Sequence, residues 1–92
     1  PEVRRDLSLV LDQTLTYAEI ESIALKTERK LLKSMNVFDV YVGDRLAQGK
    51  KSYSIQFILS DTEKTLEDQT IDQCMGRLMQ AFEKEAGALI RT

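Results

Sequence analysis

The chain of 92 residues contains no histidine, no tryptophan, one cysteine and one proline. A single cysteine excludes an internal disulfide framework. Together with the lack of histidine it also excludes the usual structural zinc sites, whose ligands are mainly those two residues. Without imidazole, Ser-His-Asp and Cys-His catalysis are excluded as well. No segment approaches the roughly 20 consecutive apolar residues that cross a bilayer, so we expect no membrane partner.

The amino-acid composition is that of an ordinary folded domain. The composition is 42% hydrophobic and 30% charged, and the length predicts one domain over residues 1–92. The free Cys74 and the lack of a basic, then apolar leader favour a reducing, cytoplasmic setting. The start at Pro1, without Met, predicts a C-terminal fragment of a larger subunit. The net charge of -2 argues against a strongly cationic nucleic-acid binder.

Apolar periodicity predicts a strand and then a helix in the first third of the chain. Within residues 3–12, Leu7, Leu9 and Leu11 alternate with polar side chains, which is typical of a strand with one buried face. Thr16 precedes Glu19 by three residues, which is the spacing of a capping box. Apolar residues then recur at helical spacing, which predicts a helix over 17–34.

The rest of the chain predicts two strands, a second helix and a last short strand. Residues 37–42 are β-branched and aromatic, and alternation predicts that Phe38, Val40 and Val42 point to the core. Residues 50–60 alternate most regularly, with Tyr53 and Phe57 on the apolar side. A helix is expected from 68 or 70 to 85, with Gly87 ending it, and a strand over 88–91.

The order β-α-β-β-α-β predicts an α+β fold, namely a ferredoxin-like sandwich with a four-stranded antiparallel sheet and two helices on one face. The other side of the sheet, called here the open face, then remains available for a partner. Alternation places there Arg4, Asp6, Ser8, Asp39, Tyr41, Ser52, Ser54 and Gln56, with Arg91 on the same face or at its edge.

The open face has features of an RNA-binding surface. Tyr41 is an aromatic side chain on a polar strand face, and stacking of an unpaired base on such a ring is worth ~1–3 kcal/mol. Small hydroxyl side chains beside it allow a base to approach and to form hydrogen bonds. The acidic residues concentrate in 61–72, whereas Arg4, Arg5, Arg45, Lys50 and Lys51 predict a basic rim at one end of the sheet. The total charge therefore conceals an uneven distribution.

Several motifs occur together in an order and spacing that resembles the ferredoxin-fold anticodon-binding domain at the C-terminus of bacterial phenylalanyl-tRNA synthetase beta subunits. The resemblance covers essentially the whole chain. The motifs are Arg5-Asp6, Phe38-Asp39-Val40-Tyr41 with Gly43, Gly49-Lys50-Lys51-Ser52, Thr65-Leu66 and Gly87-Ala88-Leu89-Ile90-Arg91.

The resemblance implies a domain that holds the anticodon stem-loop of tRNA(Phe) and has no catalytic site or cofactor of its own. It implies a parent ligase that uses ATP and magnesium, in an α₂β₂ tetramer whose alpha subunit holds the aminoacylation site. Because Phe38 points to the core by alternation, we assign it to packing. The residues expected to bind RNA, from the resemblance and the open face together, are Arg4, Asp39, Tyr41, Lys51, Ser52, Ser54 and Arg91.

Other functions of this fold order fit the residues less well. In an RNA-recognition motif the third-strand aromatics face RNA, whereas Tyr53 and Phe57 share a face with the apolar Ile55. An acylphosphatase-like enzyme needs a Gly-rich, Arg-bearing loop after the first strand, and residues 12–16 contain neither residue type. A subunit-docking module and a small-molecule-binding regulatory domain remain as alternatives.

Overall fold

Four strands and two helices make up the structure, a computed structural model that describes residues 1–91. Thr92, the last residue of the expected domain, lies outside the described residues. The strands form one antiparallel sheet in the order β2-β3-β1-β4, so the predicted ferredoxin-like fold class is confirmed. The elements in chain order are β1 (Val3–Asp12), α1 (Tyr17–Thr27), β2 (Leu32–Tyr41), β3 (Lys50–Leu59), α2 (Asp68–Ala86) and β4 (Leu89–Arg91).

The two central strands decide which side of the sheet is buried. β1 pairs with β3 along its whole length, from Val3 opposite Leu59 to Asp12 opposite Lys50. Most of the alternate side chains on one side of this pair enter the core with the apolar stripes of both helices. The buried apolar residues of the two strands on that side are Leu7, Leu9, Leu11, Ile55, Phe57 and Leu59. The intervening side chains therefore point to the open face.

The first helix begins where the sequence predicts and ends earlier. Thr16 accepts a hydrogen bond from the Glu19 backbone N–H and the Glu19 carboxylate accepts one from the Thr16 N–H, so the capping box is confirmed. The helix ends at Thr27, not at residue 34. The predicted helix was too long because Leu31 and Met35 continue the apolar spacing by coincidence. Leu31 is buried outside the helix, and Met35 belongs to β2.

The second half of β2 is more exposed than alternation predicts, and it contains a β-bulge. Val37 lies opposite Ile55 and Asp39 lies opposite Ser54, so Phe38 is an extra residue without a partner of its own. The extra residue of a bulge is left out of the ladder, and pairing then resumes with Val40 opposite Tyr53 on the core side of the sheet. Phe38, Val40 and Val42 are all exposed, and the assignment of Phe38 to the core was wrong. Simple alternation contains no signal for the extra residue.

The second helix closes the core over the sheet. The ring of Phe82 in α2 packs against the ring of Phe57 in β3, and the two ring centroids are 6.0 Å apart. The helix ends at Ala86, and Gly87 adopts the left-handed conformation with φ 61°, as predicted. Neither helix of residues 1–91 combines the length and the apolar character that a bilayer crossing needs.

A buried carboxylate joins the two helices. Glu28, which directly follows α1, is 5% exposed and forms an ion pair with Arg77 of α2. Burial, the charge of Glu28 and a hydrogen bond to it raise the pKa of the Cys74 thiol to about 12. The thiol is therefore protonated at neutral pH. Its contribution to stability is fully present below the ordinary thiol pKa and declines as pH rises towards 12.

Arg77→Met should lower the free energy of unfolding by about 2–3 kcal/mol, because it leaves the buried Glu28 carboxylate without its charged partner. Lys26→Met is the matched control, since it removes an ion pair to Glu85 whose side chains are 57% and 37% exposed. That loss should stay below about 1 kcal/mol. Urea unfolding of the chain measures both values, and equal losses would refute the structural role of the Glu28 pair.

Candidate nucleic-acid interface

The pairing of the four strands aligns polar side chains in a row across the open face. Ser8 of β1 lies opposite Ser54 on one side and Arg91 on the other, and Ser54 lies opposite Asp39. The row therefore runs Asp39, Ser54, Ser8, Arg91 from one edge of the sheet to the other. The two serine hydroxyls are 3.1 Å apart and form a hydrogen bond. The sequence left open whether Arg91 lies on the open face or at its edge. Its pairing with Ser8 places it on the face.

A second row, two residues further along the strands, begins with Tyr41 opposite Ser52. Between the two rows and the β2–β3 connection lies a shallow open pocket. It contains both ends of the first row, the first two members of the second and two residues of the connection. Its lining residues are Asp39, Tyr41, Arg45, Leu46, Ser52 and Arg91. Four residues predicted to bind RNA thus lie around one depression.

The Tyr41 ring is held from two directions. A Cβ atom added at Gly43 would collide with the Tyr41 hydroxyl group, so the ring packs directly on the glycine backbone. The Arg45 guanidinium lies over the ring, 5.2 Å from its centroid, which is within the range of a cation–π contact. The Leu46 N–H donates to the Gly43 carbonyl at 3.2 Å, which forms the turn that returns Arg45 to the ring.

Lys51, another residue expected to bind RNA, lies away from the open face. It lies opposite Leu11, on the core side of the sheet, and only 8% of it is exposed. Its Nζ donates to the Leu15 carbonyl and to the Tyr53 hydroxyl, so the ammonium group is used internally. The alternation of β3 contained this information, because Lys51 shares the parity of Tyr53 and Ile55.

The predicted basic rim is divided between the two ends of the sheet. The strand pairing places Arg4 near Ile58 at one end, whereas Lys50 lies opposite Asp12 at the other. Both are also partly neutralised, since Arg4 forms an ion pair with Asp6 and Lys50 forms one with Asp12. The cations that line the pocket are instead Arg45 and Arg91.

Sequence reasoning missed two members of the pocket region as site residues. Arg45 was treated as a rim charge and Leu46 was not considered. The useful signal was Gly43, because the missing side chain of a glycine two residues after Tyr41 leaves room for the ring against the backbone of the connection. Within residues 1–91, no three cysteine, aspartate or glutamate side chains converge as metal ligands would.

The fold and the residues of the open face define the class of protein. It is an α+β ferredoxin-like domain whose sheet surface carries polar and aromatic side chains. The chain belongs to the ferredoxin-fold anticodon-binding domain family, whose family model matches residues 1–91.

Curated relatives agree with that family. The chain is 50% identical over 91 residues to a phenylalanine--tRNA ligase beta subunit of Bacteroides fragilis, 47% over 91 residues to one of Porphyromonas gingivalis and 37% over 93 residues to one of Bacillus subtilis. Each alignment covers 99% of this chain and 11% of the relative. The chain therefore spans about a ninth of the length of these relatives.

A solved structure of a formyltetrahydrofolate deformylase from Pseudomonas putida KT2440 is similar at a TM-score of 0.40 and 15% identity, over 97% of this chain and 28% of that one. At this level of similarity it supports no argument about function.

Gly43→Ala should displace the Tyr41 ring, because the new methyl group would meet the phenol. We expect large changes in the NMR resonances of the Tyr41 ring and of Arg45. Gly76→Ala is the control, since nothing lies within 4 Å of a Cβ there. It should leave Tyr41 unchanged and stabilise α2 by about 0.5–1 kcal/mol. Unchanged Tyr41 resonances in Gly43→Ala would contradict the described ring position.

Proposed function

We propose that this domain binds the anticodon stem-loop of tRNA(Phe) as part of a phenylalanine--tRNA ligase beta subunit. The single observation that carries the proposal is the pocket in which an aromatic ring, a carboxylate, a hydroxyl and two guanidinium groups converge. Single-stranded RNA loops are bound by this combination of flat aromatic surfaces with hydrogen-bonding groups at base edges. Family membership selects the anticodon loop among such RNAs.

Each group of the pocket has a chemical role in this proposal. The Tyr41 ring stacks on an unpaired base, which replaces the present contact with Arg45. Arg45 then pairs with a phosphate, as guanidinium groups do in bidentate fashion. The Asp39 carboxylate accepts hydrogen bonds from base N–H groups. Ser52 donates or accepts at a base edge, and Arg91 donates from the opposite side of the pocket.

The other three residues expected to bind RNA do not line the pocket. Ser54 lies in the first row, but its hydroxyl already shares a hydrogen bond with Ser8. We therefore propose that the serine pair supports the floor of the site. Arg4 lies near the other end of the sheet, outside the pocket lining. Lys51 takes no part, because its ammonium group binds within the domain.

The remaining steps of aminoacylation are assigned to other parts of the ligase. We propose that the parent enzyme joins phenylalanine to tRNA in the cytoplasm with ATP and magnesium, in an α₂β₂ tetramer whose alpha subunit holds the reacting groups. The domain instead contributes affinity for tRNA through its tether to the rest of the enzyme.

The test is Tyr41→Ala in the full-length ligase with its partner subunit. Loss of one stacked base should raise the KM for tRNA about fivefold to 100-fold. The KM values for phenylalanine and ATP should not change. Tyr41→Phe keeps the ring and should stay within about twofold of wild type. Val42→Ala alters a neighbouring exposed side chain outside the pocket lining and is the second control.

An unchanged KM for tRNA in Tyr41→Ala, with the fold intact, would overturn the stacking role. It would favour the alternatives of a subunit-docking or a small-molecule-binding domain.

A further inference from the structure

Phe38 is an exposed aromatic side chain that neither the core nor the pocket uses. It is 52% exposed, and the other large exposed side chains nearby, Val40 of β2 and Val42 directly after β2, are aliphatic. The bulge explains its direction, because β2 presents both Phe38 and Asp39 against the single Ser54. Bulges commonly redirect a side chain beside a functional site. Here the redirected side chain is an aromatic ring next to a pocket residue.

The contact of Phe38 with Arg4 shows that the ring lies on the open face. Arg4 is an even-numbered residue of β1, on the side opposite the buried Leu7 and Leu9. Its guanidinium carbon lies 5.7 Å from the centroid of the Phe38 ring, although the whole of β3 separates the two strands. Arg4 therefore reaches across the sheet surface to the ring.

Asp6 holds the Arg4 guanidinium in place. The Arg4 Nε donates to Asp6 Oδ1 at 3.1 Å and Nη2 donates to Oδ2 at 3.3 Å, so the contact is bidentate. This pairing restricts the rotation of the guanidinium plane and offsets its charge. The group consequently offers a flat surface more than a free positive charge, which suits base stacking better than phosphate binding.

We infer that Phe38, supported by Arg4, is a second base-stacking platform on the open face and takes a nucleotide next to the one bound at Tyr41. The inference rests on the proposed function, because both rings serve one RNA loop. Phe38 shares the ladder position of Asp39, which is two positions from Tyr41, roughly 7 Å along a strand. This exceeds the ~3.4 Å rise between stacked bases. The two platforms therefore select a loop whose neighbouring bases are unstacked from each other.

The experiment uses the full-length ligase with its partner subunit and anticodon stem-loop RNAs that carry one abasic nucleotide at each loop position in turn. Binding is measured for wild type, Phe38→Leu and Tyr41→Leu, because leucine keeps apolar volume and removes the flat ring. Val40→Ala is the matched control. It alters a side chain of β2 that is 56% exposed, and it lies opposite Tyr53 on the other side of the sheet.

Phe38→Leu should weaken binding of the intact stem-loop about fivefold to 100-fold, and Val40→Ala less than about twofold. The loss caused by Phe38→Leu should disappear with the RNA that is abasic at one particular position. For Tyr41→Leu the loss should disappear at an adjacent position.

Two results separate the inference from the proposed function. If only Tyr41→Leu shows a position-specific loss, the Phe38 platform is overturned and the proposed function stands. If neither variant weakens binding at any position, both are overturned. A loss for Phe38→Leu that is the same with every abasic RNA also overturns the platform, because it reports a contact to the RNA backbone or a distortion of the sheet.

Discussion

The antiparallel pairing of β1 with β3 is the constraint on which the rest of the structure depends. Its ten paired positions divide every side chain of the two central strands between a core covered by helices and a face without them. The same register that buries Leu9 and Leu11 turns Ser8 and Ser52 outward. A slip by one residue would exchange the two sets and would expose the apolar side. The stability of the core and the composition of the open face therefore both depend on the register of β1 and β3.

The edges of the sheet add what the central strands lack. β4 contributes Arg91 to one end of the polar row, and β2 contributes Asp39 and Tyr41 at the other. The β2–β3 connection then returns Arg45 over the Tyr41 ring, and the missing Cβ of Gly43 leaves room for that ring. The central strands thus supply a floor that includes the hydroxyl groups of Ser8, Ser52 and Ser54. The edge strands and the connection supply the long side chains that converge above it.

The regular parts of the molecule were predictable and the irregular parts were not. The bounds of β1, the capping box at Thr16 and the end of α2 at Gly87 followed from periodicity and local chemistry, because each depends on residues close in sequence. The early end of α1 and the bulge at Phe38 depend on how the chain meets β3, which no local pattern contains. Lys51 shows a third case. Its position followed from alternation, but its charge favoured an exposed role that the buried contacts with Leu15 and Tyr53 exclude.

We propose that the sheet presents the aromatic rings and paired polar groups of its open face to an RNA loop. The most direct measurement is ultraviolet cross-linking of the full-length ligase to its tRNA, followed by mass spectrometry of the joined peptides. The account predicts that loop nucleotides cross-link to the segment of β2 that contains Phe38 and Tyr41. Cross-links from this domain confined to α1 and α2, on the other side of the sheet, would contradict it.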